Sequence, residues 1–238
     1  MERAAPNSEG DHRSASSRPA VALAVLVFVT GATTMALEIA AARLFAPHFG
    51  TALPVWANLI GLVLAFLALG SWAGGRLASA EPAERACTAA GVGGLLAAGV
   101  PDLAAPLLAL GHGGIAGLQV GLVVASFVTS ALVLAAPTIT LGTVTPLAIA
   151  AASRTGSAEP GTVAGRLIAL STAGGIVGVF ASALVAIPLL GTRSTFACFG
   201  LVVTLCAAVA LARTAPRRAR ALGFVALLAA ALACYRSA

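Results

Sequence analysis

From Pro19 to Phe45 the chain runs for 27 residues with Glu38 and Arg43 as its only charged side chains. A hydrocarbon core about 30 Å thick is crossed by roughly 20 apolar residues of helix, so a run of this length has a membrane span as its natural structure. Six more apolar runs follow, at about 53–77, 87–110, 115–152, 164–190, 194–212 and 219–235. With 59% hydrophobic and 9% charged residues, the chain has no material left for a large soluble domain. The apolar residues are contiguous rather than alternating, which excludes a membrane β-barrel. The expected fold is all-α: a polytopic bundle of about seven transmembrane helices over 19–238, behind a polar, disordered cytoplasmic tail over 1–18. The first run is too long for a signal-peptide core and reads as a retained helix. These features describe a multi-pass protein of the plasma membrane, in contact with the lipid bilayer.

The basic residues number 14, all arginine, against 8 acidic ones. They stand at the ends of the apolar runs and are not interleaved with aromatics, so nucleic acid is not an expected partner. Seven crossings with the N-terminus inside place 11 of them on the inner side, leaving Arg43, Arg193 and Arg236 outside. Two crossings within 115–152 would move Arg154, Arg166 and the Arg213–Arg220 cluster outside, against the positive-inside bias. This 38-residue run is therefore expected to cross once, break at Pro137, and continue as a kinked or partly re-entrant Thr-rich half-helix over 138–152. The 87–110 run, with Pro101, Asp102 and Pro106, is expected to be irregular. The cysteines, Cys87, Cys198, Cys206 and Cys234, lack metal-binding spacing and read as small core residues, so neither metal nor cofactor is expected.

Chemistry inside such a chain belongs to the few polar groups within the runs. Glu38 shares a helical face with Gly31 and Thr34. A carboxylate at the centre of a span costs about 2.5–3.5 kcal/mol on insertion scales, so it must turn toward protein or water. It is either a paired structural carboxylate or a cation or proton site. In the second run Asn58, Gly61, Ala65, Trp72 and Arg76 form one stripe, which suits a helix lining a cavity or an Asn bonded to a neighbour. Trp56, at the start of that run, joins Asn58 as a candidate ligand contact. Between Pro137 and Pro146 two prolines free backbone carbonyls beside Thr140, Thr143 and Thr145, and broken backbone at membrane depth is tolerated only where buried in protein or lining a cavity. Gly70-x3-Gly74, and Ser171, Gly174, Gly175, Gly178 and Ser182, read as close-packing seams, within one chain or in a homodimer. Substrate contacts are thus expected from Thr34, Glu38, Trp56, Asn58, Thr140, Thr143, Thr145 and Ser171.

Three stretches also carry a resemblance: GATTMALEIAAARLFAPHFGTALPVWANLIGLVLAFLALGSWAGGRLA (31–78), PTITLGTVTPLAIAAA (137–152) and GRLIALSTAGGIVGVFASALVAIPLLGTRSTF (165–196). Together, about 96 of 238 residues, they resemble the membrane domain of the spermidine synthase-like integral membrane proteins. That family is sometimes described as related to the major facilitator superfamily, and its membrane part is often fused to a soluble polyamine aminopropyltransferase. The resemblance implies a transport or binding module for a polyamine or other amine cation, or alternatively a membrane anchor for a separately encoded aminopropyltransferase. In the family the GGRLA stretch continues into Asp-Arg; here Ser79, Ala80, Glu81 and Pro82 follow Ala78. The reaction itself needs a nucleotide site and acidic residues around an amine. The residues to Ala238 supply only Asp11 and Asp102 as aspartates and no Gly-rich strand-to-helix turn, so no catalysis is expected of them.

Overall fold

The computed structural model describes residues 9–111, 119–155, 159–212 and 215–237. Helix α1 spans Glu9–Phe49, α2 Leu53–Leu77, α3 Pro82–Gly111, α4 Gln119–Gly142, α5 Val144–Thr155 and α6 Pro160–Phe180. A π-helical turn, Ala181–Ala186, joins α6 to the short α7 (Ile187–Leu190), and α8 (Thr192–Leu211) and α9 (Pro216–Ser237) complete the chain. Among the described residues the structure is all-helical. Six spans, 20–32 residues each, are long and apolar enough to cross a membrane, with α4 and α5 counted as one. The chain is a multi-pass membrane helix bundle.

Helix α1 begins at Glu9, so it extends through half of the stretch expected to be a polar tail; residues 1–8 lie outside the described part. Nothing between Asp11 and Arg18 interrupts a helix, the residues being mostly Ser, Ala and Arg. The 87–110 run also departs from expectation. Helix α3 continues through both Pro101 and Pro106.

Helix α1 is the centre of the bundle, packed by α6, α8, α3 and α5. Its apolar face meets two cores. Toward Phe49, Phe45 and Ala41 join Val63, Val100, Leu134 and the fully enclosed Phe196. Toward the other end, Leu26 joins Leu141, Val203, Leu211 and Leu222. Around α1, α3 lies antiparallel to α8, since Gly94 faces Gly200 while Arg193 reaches Asp102. By contrast α6 runs parallel to α1, with Leu167 beside Leu23 and Gly178 against Ala32. Helices α2 and α4–α5 are parallel as well, from Asn58 against Ser126 to Ala78 against Arg154.

This last pairing settles the path of 115–152. The helix does not break at Pro137 and does not turn back. It carries on through Pro137 to Gly142, makes a single-residue turn at Thr143, and continues in the same direction to Thr155. Pro146 supplies the reason. It has no N–H for the Gly142 carbonyl, which instead accepts a hydrogen bond from Ser71 Oγ at 3.4 Å.

The seams are used inside the chain. Gly70 lies against Ile139 and Gly142 of α4, while Gly174 and Gly178 lie against α1. All the described arginines but three stand at one end. Arg154 donates to the Ala78 and Ser79 carbonyls at 2.8 and 3.1 Å, Arg85 caps Leu77, and Arg76 stacks over Trp72 at 4.0 Å. Arg218 of α9 pairs there with Glu84 of α3. At the opposite end Arg43 is exposed, Arg193 pairs with Asp102 at 3.1 Å, and Arg236 stands in the last turn of α9. Arg3 and Arg213 lie outside the described residues.

Candidate functional site

Helices α2 and α6 scarcely touch each other, although both flank α1. The gap between them, floored by α1 and by the α4–α5 turn, is a cavity of about 470 Å³. Its walls are Thr30 to Met35 of α1, Leu67 and Ser71 of α2, Leu141 to Thr145 at the turn, and one face of α6 from Ile168 to Val179. Small residues make the space. Gly31, Gly142 and Gly175 all border it.

Three of the residues singled out from sequence meet here: Thr34, Thr145 and Ser171. They are not equivalent. Thr34 Oγ1 donates to the Thr30 carbonyl at 2.9 Å, one turn back in its own helix, the usual resting state of a threonine in a span. Thr145 and Ser171 are half-buried, and neither has a hydrogen-bond partner among the described residues. Behind them Thr30, 3% exposed, also holds a hydroxyl with no partner. In hydrocarbon an unmet hydroxyl costs more than in water, and helices normally return it to the carbonyl four residues earlier. Thr172, on the same wall, does so, bonding Ile168 O at 3.0 Å.

Glu38 stands one turn beyond Thr34 on α1, outside the cavity wall and toward the π-helical turn against which α1 packs. It is half-buried and has no ion pair or hydrogen bond among the described residues. Sequence reasoning did not foresee that π turn. Its cause is Pro188, which denies the Leu184 carbonyl a donor; Ile187 N–H reaches back to Ser182 O instead, one residue further than in an α-helix. A serine six residues before a proline was the available signal.

The other expected contacts lie elsewhere. Asn58 Nδ2 donates to Val123 O at 3.0 Å and Ser126 Oγ at 3.1 Å, fixing α2 to α4. Gly61, Ala65 and Trp72 of its stripe are exposed on the outside of the bundle, so that stripe does not line the cavity. Trp56 borders a second, much smaller hollow with Phe45 and Ser130. Thr140 and Thr143 bond back within their own helix, to Ala136 O at 2.6 Å and Thr140 O at 2.7 Å. The break thus contributes Thr145 alone of its three threonine candidates.

Because Asn58 bonds across helices, Asn58→Leu should lower stability. Interhelical hydrogen bonds in membranes average about 0.6 kcal/mol and reach about 1.7, and two are lost here. A melt in detergent should fall by a few degrees, and a Tm equal to that of the parent would show that these bonds do not form.

Comparison with family models, curated proteins and solved structures gives no match, so the functional reading rests on the residues of this chain.

Proposed function

We propose that this protein is a small-molecule binding and transport module of the plasma membrane, with its arginine-rich end in the cytoplasm and an amine cation as its substrate. Glu38 carries the reading: an acid within a membrane span, without a partner among the described residues, one turn from a cavity with hydroxyls that none of the described residues engages. An ammonium group would give that carboxylate the counter-charge that no described residue supplies, while a methylene chain would lie against the apolar wall. The resemblance to the spermidine synthase-like membrane domain points to the same substrate class. A membrane anchor for a separate aminopropyltransferase is the second reading. It calls for a dry, paired Glu38, and the lack of a partner for it among the described residues favours the first.

Glu38→Gln keeps the shape and removes the charge. Hydrogen bonds to charged groups contribute about 1.5–3 kcal/mol, so spermidine affinity should fall at least about tenfold, with little change in Tm. Equilibrium binding on the purified protein reads the first quantity and a thermal scan the second. Unchanged spermidine affinity with a clear loss of stability would make Glu38 a structural carboxylate and remove the amine reading.

A further inference from the structure

The cavity opens sideways. Ile168, Thr172 and Ile176 on α6 and Ser71 on α2 are its lips, and all four are exposed on the flank of the bundle that hydrocarbon surrounds. Its depth follows from helix rise. Thr30, Thr145 and Ser171 each lie 9–11 residues from the arginine-end terminus of their span, at Ala20, Arg154 and Pro160 respectively. At about 1.5 Å per residue this is about 15 Å, half the thickness of a bilayer core. Among the described residues the lining contains no charged side chain.

We propose that this cavity is a binding site, entered laterally from the bilayer between α2 and α6, for an uncharged single-chain molecule bearing one hydrogen-bonding oxygen. The apolar wall of Leu67, Leu141, Ile168 and Ile176 takes the chain. The hydroxyls of Thr145 and Ser171 meet the oxygen, each able to donate or accept. The volume lies within the range of about 300–1,000 Å³ usual for small-molecule pockets. Depth excludes a resident phospholipid as the donor of that oxygen. Its ester and headgroup oxygens stay at the interface, about 15 Å from these hydroxyls. An anion is excluded by the cost of a negative charge at mid-depth beside a wall whose described residues include no cation, with Glu38 one turn away. This goes beyond the amine reading and does not depend on Glu38.

The probe is a diazirine-bearing decanol, photolysed with the full-length protein in phosphatidylcholine nanodiscs and displaced by unlabelled decanol. Saturable labelling should map to α1 near 30–35 and α6 near 168–179. Thr145→Val and Ser171→Ala should each weaken decanol displacement about three- to tenfold, the value of one ordinary hydrogen bond, and the double variant more. Both remove a hydroxyl that has no partner among the described residues, so the melting temperature should hold and serves as the check on folding. Decanoate should compete at least tenfold less well than decanol. Decanol affinity unchanged in the double variant would overturn the proposal, as would equal competition by decanoate. Equal labelling of 168–179 by a photoreactive phosphatidylcholine would do the same. Spermidine binding measured on these samples is a separate result: its absence removes the amine reading and leaves the decanol result standing.

Discussion

Gly174→Ala together with Gly178→Ala should cost the protein on the order of 10 °C in detergent melts. A Cβ at Gly174 would sit 2.0 Å from the Phe28 carbonyl oxygen, and one at Gly178 would sit 2.1 Å from that of Ala32. The atoms struck are backbone, so no rotamer change relieves them, and α6 must move off α1. Overpacking of this kind costs about 1–3 kcal/mol per site, and in a chain of this size each kcal/mol lowers Tm by about 2–4 °C. The matched control is Gly75→Ala with Gly165→Ala. There an added methyl meets nothing within 4 Å, and the better helix propensity of Ala should leave Tm unchanged or slightly raised. Equal behaviour of the two pairs would mean that α1 and α6 do not make this close parallel contact.

An all-or-none result is expected from cysteine labelling in intact cells, in a background with the four native cysteines replaced by alanine. Thr51, exposed between α1 and α2, and Ser79, exposed between α2 and α3, stand at opposite ends of α2. With the arginine-rich end inside, Thr51→Cys should react with an impermeant maleimide at once and Ser79→Cys only after permeabilisation. The reverse pattern would invert the proposed orientation. Ser237→Cys, at the end of the 22-residue α9, should behave like Thr51→Cys if α9 is a seventh crossing. Matching Ser79→Cys instead would leave six.

The bundle was legible because its signal is coarse. Long apolar runs specify spans whatever their neighbours do, and arginines at alternate ends of the runs specify the path, including the single crossing of 115–152. Helix interruptions were harder to place. Pro137 and Pro146 look alike in sequence, yet only the second lies beside a glycine and opposite a hydroxyl, Ser71, that can take over the freed carbonyl. The π turn before Pro188 belongs to the same class of local backbone response. Side-chain roles were the least legible. Thr140, Thr143 and Thr145 differ by a few residues, but the first two satisfy themselves within the helix and the third faces a gap made by α6, which no local pattern encodes. Asn58 was visible as either a lining or a bonding residue, and choosing between them required knowing which helix lies beside it.

The parallel pairing of α1 with α6 also fixes an order of events during synthesis. Ser171 is the neighbour of Gly31 and is made 140 residues later. At about 5–20 residues per second, α1 waits about 7–28 s after its own emergence before its partner exists. For that interval the face holding Thr30, Gly31 and Glu38 meets only lipid, earlier helices or the insertion machinery. The central helix of the described bundle is therefore made before all the described helices that pack on it, and is among the last to be fully covered.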